Sequence, residues 1–143
     1  MSVNGNTSFI PFGVRVISVT YVVLGLVGFL PVEFLNPLHA EGVGAHYLLH
    51  LVAVNWIHNL IHLGIGAFGL WAGNDLARCR LWGRVNGPVL LVVFAVGVIQ
   101  GVLAGAPADQ LLFGLVPLNP PGHMLHLATG GLATFLGFTR SAD

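Results

Sequence analysis

Apolar residues run almost unbroken through four stretches of this sequence, at roughly 13–31, 52–73, 85–105 and 121–139, and polar residues collect between them. Each run approaches the roughly 20 residues a helix needs to cross a bilayer. Pro31 stops the first, and Pro120-Pro121-Gly122 opens the fourth. None carries a polar stripe wide enough to face water, which the surface helix of a soluble domain requires. The pattern predicts an all-α fold: an integral membrane four-helix bundle forming a single four-span domain over 1–143. Four buried helices of a soluble domain are the weaker alternative. Between the first two runs lies an outer loop, 32–51. Its "LHAEGVGAHYLLHL" segment (38–51) predicts a short helix lying at the membrane interface.

The informative positions are those that interrupt the pattern. In "VNWIHNLIHLGIGAFGLWAG" (54–73) the polar residues Asn55, His58, Asn59 and His62 fall within one helical sector of about 100°. Polar side chains are costly in hydrocarbon, so this face is expected to point at protein. There, Asn and His hydrogen-bond between helices and set their register. Asn55 and Asn119 are also placed to cap the outer ends of the second and fourth spans. A shift of 64 lays these two spans over each other. Asn55 then falls on Asn119, His62 on His126, Leu63 on Leu127, Gly66 on Gly130 and Gly73 on Gly137, giving N-x6-H-L-x2-G-x6-G twice. "LNP" at 35–37 likewise echoes "LNP" at 118–120. These matches point to a two-hairpin internal repeat of parallel sense. Small-xxx-small spacings at Gly97, Gly101 and Gly105, and glycines at 66, 69 and 73, suit close approach of helix backbones.

Composition strengthens the membrane reading and charge orients it. The chain is 55% hydrophobic and 7% charged, against the roughly 25% charge of soluble domains. It has no lysine and a formal net charge of zero, so it lacks the basic stripe of a nucleic-acid binder. Arg15 begins the first span, Arg78, Arg80 and Arg84 lie between the second and third, and Arg140 follows the fourth. All fall on one side of a four-span chain, and the positive-inside rule makes that side, with both termini, cytoplasmic. The single cysteine, Cys79, excludes an intrachain disulfide framework and is expected to be a free thiol in a reducing compartment. "MSVNGNTSFIPFG" lacks a basic segment followed by an apolar stretch, so no cleavable signal peptide is expected. The expected setting is the bacterial cytoplasmic membrane, or a thylakoid in a phototroph.

The same topology gathers all seven histidines at the outer face: His39, His46 and His50 in the first outer loop, His58 and His62 in the outer half of the second span, and His123 and His126 at the start of the fourth. Two chemistries suit them. Neutral imidazole is an axial ligand for haem iron, and holds chlorophyll magnesium in the same way. For haem b or chlorophyll, His62 and His126 at matched depth are the natural pair, with His58 in reserve and Asn55 and Asn119 in support. Gly66 and Gly130, one turn deeper, would leave room for a flat macrocycle. The other chemistry is a metal site drawn from His46, His50, His58, His62, His123 and His126. His46-x3-His50 and His58-x3-His62 have the i, i+4 spacing that puts two imidazoles on one helix face, and His123-x2-His126 the i, i+3 version. The adjacent histidine pairs of membrane desaturases are absent. The carboxylates Glu33, Glu41 and Asp109 pair with no histidine at triad spacing, and no serine nucleophile motif exists, so a hydrolase is unsupported. Without an acidic residue in mid-span, a transporter is equally so.

"VNWIHNLIHLGIGAFGLWAG" and "LNPPGHMLHLATGGLATFLGF", in that order around a glycine-rich span, resemble the bacterial membrane family known as domain of unknown function 4383. The likeness extends from the first span to the fourth and leaves out the histidine-rich loop 38–51. It implies four spans with an Asn-His motif in the second and a Leu-His motif opening the fourth, and it brings no activity. Small size, glycine-rich faces and the lack of a catalytic set point to a non-catalytic accessory or structural subunit of a larger membrane complex, redox or photosynthetic in type. Its expected partners are the lipid bilayer and other membrane subunits. The alternative is a haem- or chlorophyll-binding membrane protein.

Overall fold

The computed structural model describes residues 9–30, 39–103, 105 and 110–139. Pro31, Glu33, Asp109, Arg140 and the Leu-Asn-Pro at 35–37 lie outside them. Among the described residues the order is α1 (Phe9–Val27), β1 (His46–Leu48), β2 (Val52–Val54), α2 (Trp56–Ala72), α3 (Leu76–Val98), β3 (Gln110–Leu112), β4 (Val116–Leu118) and α4 (Pro120–Phe138). A π-helical segment, Ile99–Leu103, extends α3. By length and composition, α1 and the continuous run Leu76–Val102 are able to cross a membrane.

The four apolar runs are helical, with shifted ends. α1 starts at Phe9, four residues before the expected 13. α2 starts at Trp56 because Val52–Val54 is spent in a strand. α3 begins well before residue 85. Asp75 caps it by accepting from the Arg78 amide at 2.9 Å, so Arg78, Arg80 and Arg84 ride on helix rather than loop. α1 packs on α2 and α3 packs on α4. Glycines set both contacts. A Cβ at Gly66 would meet the Ser18 carbonyl and Val22 of α1, and one at Gly130 would meet Leu90 and the Gly87 carbonyl of α3. Backbone approach of this kind holds helices together where apolar side chains gain nothing over lipid. It also corrects one expectation: the space beside Gly66 and Gly130 is filled by the paired helix and is not open to a macrocycle.

Residues 38–51 do not form the expected interfacial helix. His46–Leu48 pairs antiparallel with Val52–Val54, and His39 bridges to His46. Two left-handed residues, Leu49 (φ 52°) and His50 (φ 60°), reverse the chain. The imidazoles of His46 and His50 therefore lie on a strand and a turn, not on one helix face. A second hairpin, Gln110–Leu112 against Val116–Leu118, has the same lengths and register shifted by 64. Its turn residues at the same shift, Phe113 (φ 53°) and Gly114 (φ 71°), are also left-handed. The internal repeat is thus carried by backbone geometry as well as by residue identities.

Two asparagines lock the hairpins to each other. Asn55 Oδ1 accepts from the His58 amide at 3.0 Å and so caps α2, while its Nδ2 donates to the Leu115 carbonyl of the other hairpin at 2.8 Å. Asn119 caps α4 through the Gly122 amide at 3.2 Å, and its Nδ2 donates to the Leu51 carbonyl at 2.7 Å. Leu51 and Leu115 are themselves equivalent under the shift, so the exchange is reciprocal. Asn119 Oδ1 takes one more bond, from the Ala53 amide at 3.2 Å, which Pro117 at the matching position has no N–H to reciprocate. At the other end of the molecule the arginines tie down helix termini. Arg15 donates to Asn74 Oδ1 at 3.1 Å, Arg84 to the Gly137 carbonyl at 2.8 Å, and the Arg78 guanidinium lies 4.5 Å from the Trp71 ring centre.

Asn119→Ala removes a cap and uncovers the Ala53 amide and the Leu51 carbonyl together. It is expected to cost about 2–3 kcal/mol of stability, measured by thermal unfolding in detergent. His50→Gly places at the first turn the residue that the second already has. Relief of the left-handed strain should stabilise the protein by about 1 kcal/mol.

Candidate metal centre

The i, i+4 spacing on α2 brings His58 and His62 together, with ring centroids 4.3 Å apart. The asparagine exchange then fixes the start of α4 beside them. His126 sits with its ring centroid 6.0 Å from that of His58 and 6.4 Å from that of His62. Nitrogen atoms of the three rings lie within 4.8 Å of one another. All three side chains are buried, with exposures of 3%, 1% and 4% for His58, His62 and His126.

Their hydrogen bonding is incomplete. Nδ1 of His58, Nδ1 of His126 and both ring nitrogens of His62 have no partner. Each buried unpaired polar group of this kind costs about 1–3 kcal/mol, and buried polar atoms are ordinarily satisfied. The backbone carbonyls of Ala53 and Pro117 face the His58 ring. An N–H directed at a carbonyl fixes the tautomer and leaves the other nitrogen as a lone pair, the arrangement found behind metal-bound imidazoles. Tyr21 of α1 meets the His62 ring edge-on with centroids 5.0 Å apart, and its hydroxyl is tied to Thr129 Oγ1 at 2.8 Å. The three rings open onto a cavity of ≈ 70 Å³ whose other walls are Ile61, Ile65, Val89, Leu90, Val93, Leu112, Val116 and Leu118. That volume takes an ion, and its Ile, Val and Leu walls offer no hydrogen-bond partner to an ordered water.

The sequence-predicted residues separate into distinct places. Asn55, His58, Asn59 and His62 are buried, as the polar face of the second run implied. His62 and His126, paired by the repeat, meet in space, and His58 completes the group. Asn55 and Asn119 support it as caps rather than as ligands. His123 does not converge with His126. It packs where a Cβ on Gly97 of α3 would stand, and both its nitrogens lack partners. His46 is buried on β1 and His50 is exposed in the turn. The six-histidine metal set therefore reduces to three. Tyr21 was not anticipated; a lone tyrosine within an apolar run was its only sequence signal.

Helices of membrane-crossing length and a buried cluster of three histidines define a small helical protein with membrane character and three imidazoles lining an otherwise apolar pocket. The chain belongs to the family described as domain of unknown function (DUF4383), whose family model matches residues 12–139. No curated protein and no solved structure matches the chain.

His62→Leu separates a ligand from a packing residue. It removes two unpaired nitrogens from the interior and should stabilise the metal-free protein by about 1 kcal/mol, seen as a rise of a few degrees in Tm in the presence of chelator. A fall in Tm would mark the imidazole as a structural partner.

Proposed function

We propose that this chain is a four-span membrane protein, with both termini cytoplasmic, that binds one transition-metal ion through His58, His62 and His126 in its outer half. The observation that carries the reading is the set of unpartnered imidazole nitrogens, buried and within 4.8 Å of one another. Zn–N bonds of about 2.0–2.1 Å would set ligand nitrogens about 3.4 Å apart, a contraction that side-chain rotation supplies. The membrane setting is supported by the outward faces of all four helices. Phe12, Val16, Val23, Leu60, Trp71, Val85, Val92, Leu132 and Phe135 are exposed, and contiguous apolar surface of that extent suits lipid rather than water. The described arginines at one end and the hairpins with the histidines at the other support the orientation.

The tetrapyrrole alternative draws on the closeness of His62 and His126, whose rings meet edge to face with centroids 6.4 Å apart. It is less favoured, because His58 occupies the approach to both and the pocket is far smaller than a macrocycle. The accessory role follows from size and composition: such a chain would carry its ion beside larger membrane subunits.

Gentle purification from native membrane, followed by metal analysis, an absorption spectrum and identification of copurified chains, tests these readings together. One ion per chain is expected, lost in His126→Leu, with no Soret band. A Soret band lost in the same variant would replace the ion with a tetrapyrrole, and a metal-free, colourless protein would remove both. Single cysteines introduced at 50 and 114 into a Cys79→Ser background should label from outside intact cells, and one at Asn74 only after permeabilisation. Labelling at all three from one side would overturn the four-span topology.

A further inference from the structure

We infer that the ion held by His58, His62 and His126 is monovalent and soft, copper(I) in particular, rather than zinc or another divalent cation; this rests on the metal-binding reading above.

The donor set is three imidazoles and nothing anionic. The remaining walls of the pocket are Ile, Val and Leu side chains. Among the described residues the carboxylates are Glu41, which is exposed in the segment leading to the first hairpin, and Asp75, which caps α3 at the opposite end. The one thiol, Cys79, is also at that opposite end, where its Sγ donates to the Ala72 carbonyl at 3.2 Å. Tyr21, whose ring meets that of His62, has its hydroxyl engaged with Thr129. Neutral ligands leave the full charge of the ion on the complex.

Charge then decides between ions. The self-energy of a buried charge grows as its square, so a divalent complex is about four times as costly to desolvate as a monovalent one. Zinc sites with three protein ligands offset this by keeping a fourth, open position for water or hydroxide. Here the fourth side is the apolar wall formed by Val89, Leu90 and Val93 of α3 with Leu112 and Val116 of the second hairpin. Copper(I) needs no such ligand. It is stable with two or three neutral nitrogen donors, and imidazole suits copper. Placing the site among apolar side chains also excludes the water that would stabilise the divalent state.

The test uses the full-length chain in detergent, stripped with chelator, with Cys79→Ser as background so that no thiolate competes. Copper(I) is titrated anaerobically against a chromophoric copper(I) chelator, silver(I) serves as a redox-inert monovalent probe, and zinc(II) is titrated separately. One copper(I) and one silver(I) per chain are expected, with zinc(II) bound about 100-fold more weakly or worse. Leucine at any one of the three histidines should weaken copper(I) by about tenfold or more, since loss of a residue that only orients a ligand already costs about that much. His58→Asp supplies the missing negative charge and should move the preference toward zinc(II) by at least tenfold. Unfolding curves for each variant in chelator establish that it is folded. Zinc(II) binding as tightly as copper(I) at these residues, or His58→Asp leaving the preference unchanged, overturns the charge inference while the site stands. No binding of any of the three ions overturns the site itself. Copper(I) binding indifferent to all three histidines overturns both.

Discussion

The exchange of side-chain amides between the two hairpins is the constraint from which the rest of the structure follows. Backbone carbonyls drawn away from water by packing must find partners inside the protein. The carbonyls of Leu51 and Leu115, where the turns rejoin their strands, find them in Asn119 and Asn55. Each asparagine also caps its own helix, so one residue fixes both where the helix starts and what lies beside that start. Since the caps are equivalent, the helices enter at the same level. His62 and His126, each seven residues beyond its asparagine, reach the same depth and meet edge to face.

The paired helices extend this symmetry with a different spacing. Gly28 at the end of α1 abuts Asn59, and Gly97 near the end of α3 abuts His123, which is Asn59 shifted by 64. Arg15 packs on Gly73, and Arg84 reaches Gly137 by the same correspondence. Arg15 and Gly28 map onto Arg84 and Gly97 with a shift of 69 rather than 64. The difference is absorbed between helix and hairpin: 17 residues separate Gly28 from His46, and 12 separate Gly97 from Gln110. A longer connection leaves the helix contacts unchanged because those contacts are made by glycines at fixed heights on the helices.

The helices were legible because their apolar runs are long, and the caps because asparagine before such a run has few other uses. The buried polar face was legible from the spacing of Asn55, His58, Asn59 and His62. The hairpins were not. Their strands are three residues long, and their turns are Leu49-His50 and Phe113-Gly114 rather than an Asn-Gly pair that announces itself. Missing the first hairpin made His46 and His50 look like a helical pair. The glycines misled differently. Gly66 and Gly130 are required by a neighbouring backbone, and a sequence does not say whether the room beside a glycine is filled by protein or left for a ligand. The start of α3 was obscured because arginines read as loop when they sit on a helix end, where their long side chains reach the C-termini of the neighbouring helices.

Symmetry explains two of the three imidazoles, and its breaking explains the third. A strictly repeated chain would carry a histidine at 122 to match His58; Gly122 stands there instead. Its ideal Cβ position lies 3.2 Å from Asn119 Oδ1, so a larger side chain would crowd the cap. One position on, Asn59 is answered by His123, whose ring packs against Gly97 of α3. The pocket therefore receives a matched pair plus one imidazole from α2, while its remaining side is closed by α3 and the second hairpin. Three donors on one side and hydrocarbon on the other follow from this departure from symmetry, and that asymmetry shapes the space for a ligand.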